Sequence, residues 1–366
     1  MKRNFSVIFC AMVIAAVFFS AQRAPGTTYQ VKRSLTVSPT PTPSPVPVAT
    51  PIKEEDQVYK IDTELVNLNV RVVDRNNRPI SNLTQNDFKI SEDSQPQQIE
   101  FFSKSDVPTN YSMVIDNSGS LRSQIDQIIE ASKILVATNH PADETSIIRF
   151  VSSDKIEILQ DFTSNKADLN DALDSLFIEG GQTAIIDAVY LAANRVSEYE
   201  KATDKQDRKR RALVLISDGE DVTSYYSQQQ LFALLKETDV QIYVVGFVND
   251  LDKDGSFIKK SAQSKARSFL EKLANDTGGR AYFPKSVVEL NDIAKNIADE
   301  LRVQYSLGYI PTNDKGDGTF RDIKVQVADG PNNQKRIAIT KAGRVADGGK
   351  PAAATTQKPT LAPKIQ

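Results

Sequence analysis

The sequence predicts a doubly wound α/β domain, a mostly parallel sheet with helices on both faces, and a small β domain made from its N- and C-terminal flanks. Three observations carry this. Short runs nearly continuous in Val, Ile and Leu alternate with segments whose apolar residues recur at helical spacing, the pattern of strands buried on both faces and joined by helices. The flanking segments instead alternate apolar and polar residues, as half-buried strands do. Each flank alone is too small to bury a stable core.

In chain order, Leu65, Asn67, Asn69 and Arg71 alternate with Val66, Leu68, Val70 and Val72, a turn follows over 76–79, and 88–90 and 99–102 supply short strands. The period changes at Tyr111. Residues 112–116 read as a buried strand, and Ile125, Ile128, Ile129, Leu135 and Val136 as the inner face of a helix. The same alternation gives strands at 146–151, 212–216, 240–245 and 280–283, and helices at 184–199, 228–238, 266–275 and 287–303. Residues 304–310 and 320–327, on either side of the turn-rich 313–318, predict a hairpin.

Both ends differ in kind. Lys2 and Arg3 precede an apolar run over 7–19 with no charge before Arg23, a length that suits a signal peptide better than a bilayer span of about 20 residues. Phe19, two residues before Ala21, is bulkier than a cleavage site prefers, so cleavage and an uncleaved anchor both stay open. Alternating prolines over 39–47 favour an extended spacer. The expected organisation is a signal peptide or anchor (1–21), a Pro-rich linker (22–56), a β segment (57–105), the α/β domain (106–303), a β segment packing with the first (304–341) and a disordered tail (342–366). The address is secreted, periplasmic or cell-envelope associated, with membrane contact only through the N-terminal segment if it is uncut.

Composition removes several chemistries. The 366 residues carry 45 Lys plus Arg against 47 Asp plus Glu, a formal charge of −2, so no nucleic-acid partner is expected. The single Cys, Cys10, excludes an intrachain disulfide and a thiolate zinc site. The single His, His140, falls between the first long helix and the next strand, at the pole opposite the strand C-termini. The basic stretch over 207–211 falls at that pole too and reads as a solvated loop.

What remains is oxygen chemistry, and three segments supply it. Asp116-Asn-Ser118-Gly-Ser120 follows the first α/β strand, Gly180-Gly-Gln-Thr183 opens a helix, and Asp218-Gly ends the strand over 212–216. In an open parallel sheet the carboxyl ends of the strands form the ligand edge, and oxygen side chains converging there suit a small hard cation. Asp-x-Ser-x-Ser alone also describes an ordinary cap and turn; it is Thr183 and Asp218 at neighbouring ends that favour a metal. Glu220 and Asp221 read as solvated loop charges or as groups behind the ligands. Asp250, Asp252 and Asp254 fit the first half of a calcium loop, but the twelfth position is Ser261 where Glu is needed, so an acidic loop is favoured over a Ca²⁺ site.

The set Asp116, Ser118, Ser120, Thr183 and Asp218 resembles the metal-ion-dependent adhesion site of von Willebrand factor type A domains, and the likeness runs from Tyr111 to about Val303. The flanks resemble those of an exported bacterial subgroup. The resemblance implies Mg²⁺ or Mn²⁺ held by two carboxylates, directly or through water, and three hydroxyls, one position short of an octahedron. It implies a protein partner that presents Asp or Glu, and no enzyme activity. Two alternatives stay open: an envelope scaffold with a structural metal, and a metal-dependent phosphoester hydrolase, which would lack a positioned base.

Overall fold

A computed structural model describes residues 65–104, 107–199, 209–248, 257–346 and 359–363, with backbone alone for 257–261 and 363. The expected signal, the Pro-rich linker and the Asp250–Asp254 loop lie outside the described residues. Among those described, no helix is long and apolar enough to cross a membrane.

The chain begins with β1 (Val66–Val73), β2 (Phe88–Glu92), β3 (Gln95–Gln97) and β4 (Ile99–Ser103). It then enters the α/β domain. There β5 (Thr109–Asp116) leads to α1 (Ile125–Ala137), β6 (Glu144–Phe150), β7 (Ile156–Thr163), α2 (Lys166–Asp174) and α3 (Ile185–Glu198). Next come β8 (Arg210–Ser217), α4 (Gln228–Glu237), β9 (Val240–Gly246), α5 (Phe257–Asp276), β10 (Arg280–Tyr282) and α6 (Leu290–Arg302). Last are β11 (Tyr305–Tyr309), β12 (Phe320–Val327), β13 (Ile337–Ile339), β14 (Gly343–Val345) and β15 (Ala362–Pro363).

The central sheet runs β10-β9-β8-β5-β6-β7-β15, parallel throughout except between β6 and β7. Strand parity divides its apolar residues into two cores. Met113 and Ile115 of β5 with Val214 and Ile216 of β8 face α1, α2 and α6, while Val114, Leu213 and Leu215 face α3, α4 and α5. Both faces are therefore dry, which is why these strands read as unbroken apolar runs. The chain moves outward from β5 through β6 to β7, then returns through α3 to β8 on β5's other side. The winding thus reverses between β5 and β8, and a crevice opens at their carboxyl ends.

The flanks build one β sandwich. One four-stranded sheet is β13-β1-β11-β4 and the other β14-β12-β2-β3. Their inner faces share a core of Leu68, Val70, Phe88, Ile90, Tyr305, Leu307, Ile323 and neighbours, with the Phe88, Phe102 and Tyr305 rings 5.0–5.9 Å apart. Since β4 pairs with β11 (Ser103 opposite Ser306), the α/β domain is inserted between two adjacent strands.

Three expectations are corrected here. The predicted hairpin is not one: β11 pairs with β1 and β4, and β12 with β2 and β14. The intervening loop carries the chain from one sheet to the other because each strand has an apolar face to bury. The tail expected to be disordered from 342 forms β14, whose Arg344 is buried against Glu92 at 2.9 Å, and β15 on the edge of the central sheet. The basic stretch is not all solvated either. Arg210 is 3% exposed and donates to the carbonyls of Leu301 and Gln304, at the end of α6, where unpaired helix carbonyls attract cations.

The sandwich sits at the pole where α6 ends and β8 and β10 begin. Arg71 of β1 forms a buried ion pair with Glu300 of α6 and donates to the Gly279 carbonyl at 3.3 Å. The other Glu300 oxygen accepts from Arg280 Nη1 (2.7 Å) and the Tyr282 hydroxyl (3.0 Å). His140 lies at this pole too, its backbone N–H donating to Asp143 Oδ2 at 2.7 Å. The opposite pole is left uncovered by the sandwich.

Candidate metal centre

At the uncovered pole Asp116 closes β5 and Ser217 closes β8, adjacent across the ladder that pairs Ile115 with Ile216. Asp116 is fully buried. Its Oδ1 accepts from the Ser118 N–H at 2.8 Å, and its Oδ2 from the Ser217 hydroxyl at 2.7 Å. The Ser118 and Ser120 hydroxyls lie 2.9 Å apart; Ser118 is buried and Ser120 exposed, so the pair leads from the crevice to solvent.

Two further loops close on this turn. The Asn117 carbonyl accepts from Glu179 N–H at 3.2 Å, and its side-chain amide donates to the Phe177 carbonyl at 2.5 Å, tying the loop before α3 to the one after β5. Gly180 and Gly181 then have φ of 81° and 141°. At Gly181 a Cβ would lie 2.5 Å from a Val151 methyl, so only glycine lets the chain turn here towards Thr183. Thr183 is 5% exposed, and its carbonyl accepts from the N–H groups of Val222 (2.8 Å) and Thr223 (3.1 Å), which binds its loop to the one that follows Asp218. Asp218, 1% exposed, accepts from Glu220 N–H at 3.0 Å.

The electrostatics of this crevice are unbalanced. Burial, and then the charge of Asp218, push the Asp116 carboxyl up to about 6, against the partial relief of Ser118 and Ser217. Two buried carboxylates acting on each other call for a proton or a cation. Among the described residues no group of three or more His, Cys, Asp or Glu side chains could hold a metal, so an ion here would depend on hydroxyl oxygens beside the two acids. Ser118, Ser120 and Thr183 are such oxygens, on the loops that meet around Asp116. A set of hard oxygen donors with little charge fits Mg²⁺ or Mn²⁺.

Asp221 faces the start of α3. Its Oδ1 accepts from Ile186 N–H (3.1 Å) and the Ser224 hydroxyl (2.5 Å). Burial raises its carboxyl.

Sequence reasoning missed three residues that shape the crevice: Ser217, which orients Asp116; Asn117, which fastens the second loop; and Asp187. Asp187 is fully buried and accepts from the Ser153 hydroxyl (2.6 Å) and the N–H groups of Tyr225 and Tyr226 (both 2.8 Å). Its signal was there, an acid within the apolar run Ile185-Ile186-x-Ala188-Val189.

A profile of the von Willebrand factor type A domain matches residues 112–296, half of the chain. Among solved structures, a serine-substituted aerotolerance-related membrane protein from Bacteroides fragilis is 20% identical, with a TM-score of 0.39 over 53% of this chain and 98% of that one. BatB from Bacteroides thetaiotaomicron is 17% identical, with a TM-score of 0.39 over 52% and 98%. Proximal thread matrix protein 1 from the mussel byssus, in a form with a zinc-occupied MIDAS motif, is 17% identical, with a TM-score of 0.42 over 54% and 48%. This chain thus spans about half the length of the mussel protein. No curated protein matches the sequence. With two dry cores on a sheet that reverses between β5 and β8, and a profile match over half its length, the chain belongs to the von Willebrand factor type A domain family.

Proposed function

We propose that this protein is an exported binding module that captures a carboxylate of a protein partner through Mg²⁺ or Mn²⁺ held by Asp116, Ser118, Ser120, Thr183 and Asp218. The observation that carries the reading is the unbalanced pair Asp116 and Asp218, buried at the one pole the sandwich leaves uncovered. A bound divalent ion supplies an electrophilic point that a carboxylate oxygen can ligate.

The chain's own groups do the rest. Ser217 and the Ser118 N–H fix both Asp116 oxygens, so the site needs little rearrangement to accept a cation. The hydroxyls add donors without charge, which keeps a held ion attractive to an outside acid. Ser120, exposed beside Ser118, marks where that acid would enter. Turnover finds no support in this crevice, because His140 lies at the opposite pole and both acids belong to the proposed ligand set.

The test is calorimetry with Mn²⁺, followed by pull-down from the producing cell's envelope with and without EDTA. Asp116→Ala is expected to abolish both metal uptake and capture, and Thr183→Ala to weaken capture more than uptake. Capture that survives both EDTA and Asp116→Ala leaves a structural scaffold as the reading. Sustained hydrolysis of a phosphoester panel, lost in Asp116→Ala, would instead favour the enzyme.

A further inference from the structure

The central sheet has two edges of unequal risk. One is β10, three residues long; the other would be β7, eight residues long and half exposed along most of its length. A long open edge is a template for pairing with any extended chain. Here its first part, at Glu157 and Ile158, is occupied. Ala362 lies opposite Glu157 and the next residue opposite Ile158, in a parallel ladder, and Leu361 packs against the core of the α3 side along with Ile158 and Phe162. Backbone pairing and an apolar side chain thus hold the segment independently of each other.

The composition of the tail agrees with this placement. Between 347 and 366 the only large apolar residues are Leu361 and Ile365, and Pro359 and Pro363 bracket the docked residues. Proline has no N–H to offer, so a strand ending in Pro363 pairs inward and gives a further strand little to pair with.

We propose that the outer edge of β7 is an acceptor site for an extended apolar peptide bracketed by prolines, and that residues 359–363 of this chain are its resident, exchangeable ligand. A two-residue ladder and one leucine make a small contact, which holds because the segment belongs to the chain it docks on. Intramolecular docking of this kind is equivalent to an effective concentration of about a millimolar. The edge is therefore mostly closed in cis, opens often, and accepts the same segment in trans only at comparable concentration. This site is separated from Asp116 by β6 and β7 at the same end of the sheet, and its reading does not need a metal.

The experiment uses the full chain. In wild type, the outward β7 amides beside Glu157 and Ile158 should exchange hydrogen about tenfold more slowly than in Leu361→Asp, while those of β5 and β8 are unchanged. A labelled peptide spanning 358–366 should bind the Leu361→Asp chain saturably at about 0.1 millimolar, and wild type about tenfold more weakly because its own tail competes at an effective concentration of about a millimolar. A peptide carrying the same Leu-to-Asp change should not bind, and Leu361→Met should behave as wild type. If Leu361→Asp loosens the whole fold, Leu361→Ala takes its place. Equal β7 exchange in wild type and variant, or equal peptide binding by both, overturns the proposal.

Discussion

The two poles of the α/β domain bury acids in opposite ways. At the sandwich pole Glu300 meets Arg71 and Arg280, and Asp143 meets Arg302; within the sandwich Glu92 meets Arg344. At the open pole Asp116 and Asp218 face each other with hydroxyl and amide donors around them. Asp187 nearby shows a third arrangement, an acid answered fully by a hydroxyl and two N–H groups. The lesson is that burial alone does not single out an acid as a candidate ligand. What does is burial together with a charge that the fold itself leaves uncompensated, because such a charge favours a proton or a cation.

The largest expected effect comes from breaking the answered side. Glu300→Gln keeps the shape but leaves the Arg71 guanidinium buried without its counter-charge, and removing one partner of a buried pair costs about 3–5 kcal/mol. Urea denaturation should show that loss, with Mn²⁺ uptake unchanged at the other pole. A cost below about 1 kcal/mol would mean that the clasp is wet, and the contrast between poles would weaken.

The unanswered side should respond with the opposite sign. In metal-free protein the Asp116 carboxyl is raised to about 6 from an ordinary 3.8, so the folded state binds a proton more tightly than the unfolded state. Its contribution favours folding below pH 3.8 and is lost as pH rises to about 6, roughly 3 kcal/mol at about 1.4 kcal/mol per unit. Asp116→Asn removes that charge. In EDTA at pH 7 the variant should be more stable than wild type by up to about 3 kcal/mol, and saturating Mn²⁺ should close the gap by stabilising wild type alone. Destabilisation in EDTA would show that Asp116 is already compensated without an ion.

How much of this the sequence discloses depends on the kind of signal. The paired cores were legible because β5, β8 and β9 are apolar on both faces, a pattern hard to satisfy otherwise. The proposed oxygen set stood out as Asp-x-Ser-x-Ser, Thr183 and Asp218 because each falls at a strand or helix end. In contrast, β7 and α2 were not read at all: β7 is half exposed along its length, and α2 is a nine-residue helix of mixed polarity. Arg71 was read as the polar side of an alternating strand, yet it is 1% exposed. Alternation reports which face a residue is on, not what will later dock there, and Glu300 lies more than two hundred residues away. The false hairpin has the same origin, since 304–327 looks local while both partners of each strand lie elsewhere.

Asp221 offers the finest test, because it lies on the same loop as Asp218 and could be counted with either class. Its Oδ1 accepts from the backbone at the start of α3 and from Ser224, which is what an acid that caps a helix does. It should therefore behave as an answered acid in spite of its address. Asp221→Ala is expected to cost about 1 kcal/mol, typical of a lost cap, and to leave Mn²⁺ affinity within about twofold of wild type. The affinity is the deciding readout, since lost stability alone would fit either role. A tenfold drop in Mn²⁺ binding, with the fold intact by circular dichroism, would move Asp221 into the metal set and make three carboxylates there. A held ion would then be less electrophilic, and a partner's acid would be a weaker ligand than proposed.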